Sequence, residues 1–313
     1  MLHLRVITPS DSTDAVVRVI EETVGTTHLC VMAGAARNPA GDVVTCDVAR
    51  EAGDELLDRL QELGIEDTGS IAVEDVDLSL SKRADQAEKD APGEAADAVL
   101  WEHLTDATHE ESTLSITYLA FITLATMIAA CGVVLDNAIL IVGAMAVGPE
   151  FGPLAGISTS VVRRRPRLAL RSVIALLVGF AAAMAVTVLF SLLMDALGLF
   201  TEAQLEADRP QTGFVYAPDA FSFVVAVLAG IAGTLSLTSS KSGALVGVAI
   251  SVTTIPAAAN AAVALSYGDT KQTVGSTEQL LLNLLGIIVA GTLTLLAQKW
   301  FWARQRAEYR NAG

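Results

Sequence analysis

The sequence predicts a polytopic α-helical membrane domain of about six spans, arranged as a 3+3 inverted repeat, behind an N-terminal α+β head of ferredoxin-like (βαββαβ) order. Three observations lead there. Charge is segregated: residues 1–112 hold 25 acidic and 8 basic residues, whereas residues 113–313 hold 10 and 12. Long apolar runs begin only after residue 113, each near the roughly 20 residues that cross a bilayer. Through the first 78 residues, apolar positions recur alternately at the period of a strand and that of a helix.

The head takes residues 1–78. Leu2, Leu4, Val6 and Thr8 alternate with His3, Arg5 and Ile7, a strand pattern that Pro9-Ser10-Asp11-Ser12 stops. Ala15, Val16, Val19, Ile20 and Val24 recur at helical spacing over 13–23. Strands are expected over 26–33 and 42–48, separated by the turn residues Asn38-Pro39-Ala40-Gly41. Leu56, Leu57, Leu60 and Leu63 mark a second helix ending at Gly64, and Ile71, Val73 and Val76 a last strand over 69–77. This order is the split-βαβ arrangement. It suits either an acidic packing and oligomerisation domain or a module that binds a small effector. No Gly-x-x-x-x-Gly-Lys-Ser/Thr loop is present, which disfavours a Walker-type nucleotide site.

Residues 79–112 read as a polar, alanine-rich linker leading into a juxtamembrane helix over 95–111, with Ala95, Val99, Leu100 and Leu104 on one stripe. His103, Asp106 and Glu110 fall on one face of it, a weak metal-ligand pattern that more often marks a solvated charged surface. No metal and no cofactor is otherwise implied. Cys30, Cys46 and Cys131 are too few and too scattered for a disulfide framework or a zinc knuckle.

The membrane domain is expected over 113–300, with spans at 114–135, 138–162, 172–194, 221–240, 242–265 and 280–297, and a tail over 301–313. Basic residues sort by loop. Arg163, Arg164, Arg165, Arg167, Arg171, Lys241, Lys299, Arg304, Arg306 and Arg310 lie on one side of the six-span arrangement, and only Arg209 and Lys271 on the other. This places both termini in the cytoplasm of a multi-pass protein of the cell (inner) membrane. Trp300-Phe301-Trp302 supplies an interfacial aromatic belt. The absence of a large basic surface excludes a nucleic-acid partner of the usual kind.

Two spans differ from lipid-facing helices. The second carries Gly148-Pro149-Glu150-Phe151-Gly152-Pro153, and the fifth carries Ser251-Val252-Thr253-Thr254-Ile255-Pro256. Proline removes a helix hydrogen bond and clashes with the preceding turn, and backbone freed at membrane depth must meet protein or water. Glu150 sits inside the first break, and an intramembrane carboxyl group usually marks an ion or solute path. Interrupted segments at matching positions of inverted halves point to a transport site. The expected path residues are therefore Gly148, Pro149, Glu150, Gly152, Pro153, Ser251, Thr253, Thr254 and Pro256, with Asn283 of the sixth span requiring a partner inside the bundle.

These segments carry a resemblance. Gly143, Ala144, Met145, Pro149, Gly152 and Pro153, together with Gly247, Val248, Ala249, Ile250 and Pro256, resemble the motifs of the prokaryotic membrane family catalogued as domain of unknown function 389. The resemblance covers roughly residues 110–300 and implies an architecture of α/β head, short helical hairpin and broken spans, with no established activity. Glu150-Phe151 departs from it, since two apolar residues are expected there.

The function expected from all this is a transporter or channel-like protein for a small solute or ion, with a regulatory head. The alternative is a membrane-anchored scaffold or ligand sensor that transports nothing; self-association into a homo-oligomer suits either. An intramembrane enzyme is not expected: His3, His28, His103 and His109 all precede the first span, and no Gly-x-Gly-Asp motif occurs.

Overall fold

In a computed structural model the described residues are 1–91, 93, 98–216, 220–239 and 253–312, with side chains through 305. They divide into two compact units, one built on residues 1–103 and one on residues 104–299.

The first unit opens with β1 (Leu2–Thr8), α1 (Thr13–Glu22), β2 (Thr26–Arg37), β3 (Ala40–Val48), α2 (Arg50–Glu62), the single turn α3 (Ile65–Thr68) and β4 (Ser70–Asp75). The strands form one sheet of order β2-β3-β1-β4 with every pairing antiparallel, for example Leu4 against Cys46 and against Val73. Alternation puts Leu2, Leu4 and Val6 on one face, where they pack with Val16 and Ile20 of α1 and Leu56 and Leu60 of α2. The expected strand and helix order holds. The third strand starts two residues earlier than expected and the second runs four further, because the turn between them is tight and the hairpin stays paired to Arg37–Ala40. The stretch expected to be a plain linker contains α4 (Lys82–Asp90), whose first turn is capped by the Ser81 hydroxyl accepting from the Ala84 N–H.

Helix α5 (Trp101–Glu111) leads into the second unit. There α6 (Ile116–Val134) and α7 (Ala138–Val147) form a tight hairpin. Asp136 takes the left-handed conformation at its tip, and the Asn137 side chain caps α7 by accepting from the Ile139 and Leu140 N–H groups. Helix α8 (Phe151–Arg163) continues α7 after a break and is bent from it by 51°. Helix α9 (Pro166–Ala196) opens on a proline at its first position, where the missing N–H costs nothing. Short α10 (Glu202–Glu206) and a 3-10 turn (Gly213–Val215) then lead to α11 (Ala220–Thr238), α12 (Thr254–Tyr267) and α13 (Thr270–Ala312).

Among the described residues four helices, α6, α9, α11 and α13, are long and apolar enough to cross a membrane, and the bent pair α7–α8 makes up to five. The protein is thus a multi-pass membrane protein by its apolar helices. The six spans expected are not all reached here: residues 240–252, which include Lys241, Gly247, Val248, Ala249, Ile250 and Ser251 and open the fifth expected span, lie outside the described residues. Ile116, Leu189, Phe221 and Leu293 are exposed large side chains on the four long helices, as a lipid-facing surface requires. Helix α12 is the opposite. From Ile255 to Ala264 every residue is fully buried, with α6, α7 and α9 packed around it. Its Pro-Ala-Ala-Ala-Asn-Ala-Ala run is what permits that close approach.

Candidate functional site

The two breaks begin helices rather than interrupt them. Pro153 is the third residue of α8 and Pro256 the third residue of α12, in the first turn, where no intrahelical acceptor awaits an N–H. The break expected in the second span is found: Gly148 and Pro149 occupy the gap between α7 and α8, and Pro153 and Pro256 lie in the first turns of the helices that follow. Glu150 is the N-cap of α8, and Thr253 that of α12.

Those two starts are joined. The Thr254 hydroxyl donates to Glu150 Oε1 at 2.6 Å, and Glu150 is only 5% exposed. The partial positive ends of both helices therefore meet a carboxyl group. Asn283 of α13 donates through Nδ2 to the Thr253 hydroxyl at 2.8 Å, and Gln279, one turn earlier on the same face, donates through Nε2 to it at 3.3 Å. Four of the expected path residues, Glu150, Thr253, Thr254 and Asn283, are thereby gathered into one buried polar cluster. Ser251 lies outside the described residues.

Gly148, Pro149 and Gly152 have a different place. They line a cavity of about 400 Å³ with Tyr118, Glu110 and Glu111. Gly148 lies between this cavity and the cluster: a Cβ there would stand 2.4 Å from Glu150 Oε2 and 2.8 Å from Ile255. Gly152 is covered by Glu111, whose carboxylate would meet a Cβ at 2.4 Å. Burial, and then the neighbouring charge of Glu110, pushes the Glu111 carboxyl above the usual carboxylate range. The Tyr118 hydroxyl is buried with no hydrogen-bond partner.

His103, Asp106 and Glu110 do not come together. Among the described residues no three His, Cys, Asp or Glu side chains are placed to hold a metal ion. The pattern is that of a charged helix face.

A second buried polar cluster went unread in the sequence. Arg209, between α9 and α11, is 3% exposed and donates to Asn260 Oδ1 at 2.9 Å and to Gln272 Oε1. Its guanidinium lies over the Tyr216 ring at 4.8 Å. Asn260 in turn donates to Ser276 Oγ at 2.7 Å. Burial lowers the Arg209 guanidinium below its usual range, against the opposing pull of Tyr216, Asp136 and Asp269. Asn260 stands six residues beyond Thr254, about 9 Å along α12. A carboxyl group thus sits at the start of this enclosed helix and a guanidinium further along it.

Hydropathy does not reach Gln279, because the apolar run begins at residue 280, although helix α13 begins ten residues earlier. Its spacing of four from Asn283 was the available signal. Arg209 had a subtler one, as an arginine alone among acidic loop residues.

Comparison with known proteins bears on this region. The family described as "Domain of unknown function (DUF389)" matches residues 145–289, a stretch that contains both polar clusters but not Glu110, Glu111 and Tyr118 of the cavity. An uncharacterized protein of Methanocaldococcus jannaschii (MJ0678) is 24% identical over 259 residues, covering 81% of this chain and 77% of that protein. No solved structure matches the chain. The resemblance carried by the glycine and proline motifs is thereby shown as far as residues 145–289, which match the model of the family described as a domain of unknown function.

Proposed function

We propose that this protein is a transporter or channel-like protein for a small solute or ion, with the head as its regulatory part. One observation carries the reading: the Glu150–Thr254 hydrogen bond joins two buried helix starts within an apolar bundle. Helices that begin inside a membrane leave N–H groups which need protein, water or a solute.

The order of elements supports a 3+3 inverted repeat. Helices α6, α7–α8 and α9 form one set of long, broken and long elements; α11, the segment ending in α12, and α13 form another. On this reading the spans number six, and the loop arginines set both termini in the cytoplasm of the cell membrane. The sheet order β2-β3-β1-β4, with α1 and α2 as the crossings, supports a ferredoxin-like head. The chemistry of the site is binding rather than bond-making, and the bilayer and a small solute or ion are its partners.

The experiment is flux in proteoliposomes. Wild-type protein is expected to conduct protons, alkali cations or a small solute above protein-free liposomes, and Glu150→Gln to lose most of that flux. Wild-type and Glu150→Gln liposomes that both leak no faster than empty ones, across the solutes tried, would leave an anchored scaffold or sensor instead.

A further inference from the structure

Three oxygen acceptors in the Glu150 cluster have no hydrogen-bond partner: Glu150 Oε2, Gln279 Oε1 and Asn283 Oδ1. Their side chains are 5%, 0% and 1% exposed. Thr254 binds Glu150 and the adjacent Thr253 binds both amides, which ties the three side chains to one pair of neighbouring residues. Buried acceptors are nearly always paired, so three together require an explanation.

With the amides as found, each ordinary remedy taken alone leaves an acceptor unpaired. A proton on Glu150 Oε2 satisfies the carboxyl group and can be donated to one amide oxygen at most. A water molecule has two hydrogens for three acceptors. Turning one amide over would pair its oxygen with the Thr253 hydroxyl and aim its nitrogen at the other acceptors; in the orientation found, both nitrogens bind Thr253 and all three oxygens are left for a cation. A cation needs no donor at all and takes all three oxygens as ligands. One carboxylate with two neutral amide oxygens carries a single negative charge, which a single positive charge cancels. Hard oxygen ligands without a thiolate or imidazole select alkali and alkaline-earth ions over transition metals, and the charge balance selects the monovalent ones.

We infer that Glu150 Oε2, Gln279 Oε1 and Asn283 Oδ1 form a binding site for a dehydrated monovalent alkali cation, sodium or potassium, between the starts of α8 and α12 and the face of α13. The Thr254 hydroxyl occupies Oε1 and leaves Oε2 to the ion; Thr253 holds the two amides by their nitrogens, which leaves their oxygens free to bind it. Gly148 belongs to the same design, since any side chain there would fill the space beside Oε2. This deepens the transport reading by naming the ion at its site, but binding does not require transport and is measured apart from it.

The test uses the full chain in nanodiscs at constant ionic strength, with choline chloride replaced stepwise by sodium or potassium chloride. Thermal unfolding and radioactive sodium binding are read together. The expected result is a saturable rise in stability with one of the two ions, and a midpoint weakened roughly tenfold or more in Asn283→Leu and Gln279→Leu. Glu150→Gln should abolish it, and Asn283→Asp, which keeps an oxygen in place, should retain it. Retained binding by Asn283→Asp separates loss of a ligand from loss of the fold. Equal stability in choline and both alkali ions overturns the site, as does undiminished binding in Glu150→Gln. Cation binding without flux would refute transport and keep the site, whereas flux that ignores both ions would do the reverse.

Discussion

Thr254 donates its hydroxyl proton to Glu150 across 104 residues of sequence, and that bond ties the first turn of α8 to the first turn of α12. Thr254→Val removes the donor at nearly constant volume and leaves Glu150 Oε1 buried without its partner. The expected cost is about 1–3 kcal/mol, read as a lower unfolding midpoint in detergent. Thr254→Ser should restore most of it, and an unchanged midpoint in Thr254→Val would show that the bond contributes nothing.

Gly148 tests the packing around the same carboxyl group. Its φ of −65° suits any residue, so the constraint is steric: a methyl group would meet Glu150 Oε2 and Ile255. Gly148→Ala should cost about 1–3 kcal/mol as an overpacked site. The cost should shrink in a Glu150→Ala background, where one of the two obstacles is gone. Strictly additive effects would contradict the contact.

At the second cluster the asymmetry of buried polar pairs becomes measurable. Asn260→Leu leaves Arg209 buried without its Asn260 acceptor and should cost about 1.5–3 kcal/mol. Adding Arg209→Met removes the stranded guanidinium, so the double variant should be less destabilised than the two single effects combined. A sum equal to the singles would mean that Arg209 and Asn260 act independently.

How much of this was legible in the sequence differs by region. The head was readable because period-two and period-3.6 patterns there stay unmixed, and the turn at Asn38-Pro39-Ala40-Gly41 and the stop at Gly64 punctuate them. The breaks were readable because glycine and proline act locally, and Glu150 is a charge in an apolar run. What hydropathy does not report is which helix is enclosed: α12 is less apolar than its lipid-facing neighbours α6, α9 and α11, and its burial follows from small side chains and from what surrounds it. Gln279 and Arg209 escaped for a related reason. Each lies beside a span by composition, and only the tertiary arrangement brings it against Thr253 or Asn260.

The head makes its own chemical prediction. Cys30 is exposed, whereas Cys46 is buried in the sheet, where burial and then the Asp47 charge push its thiol up to about 12. In a Cys131→Ala background, a thiol reagent at mildly alkaline pH should modify one cysteine quickly and the second only after denaturation. Two equally fast reactions would show that the sheet is open at Cys46.

Asp42 gives the acid limb. Its carboxylate accepts from the Gly34 N–H at 2.8 Å, from Thr13 at 2.7 Å and from Ser10 at 2.9 Å, and these bonds hold it below the usual carboxylate range. A group with a depressed folded-state value stabilises fully above its unfolded value of about 3.9, and that stability is lost as pH falls through the lower one. The wild-type protein should therefore lose stability below about pH 4 more steeply than Asp42→Asn. Parallel curves would remove Asp42 as a cause.

The central claim is that the paired helix starts shelter a wetted interior at bilayer depth. Hydroxyl-radical footprinting of the protein in lipid nanodiscs tests this most directly, because side chains beside enclosed water are oxidised and lipid-facing ones are not. The account predicts labelling of Tyr118, Pro149 and Ile255, with Leu189 and Phe223 unmodified. Protection of all three, at the level of those lipid-facing residues, would mean a dry and fully packed centre and would contradict it.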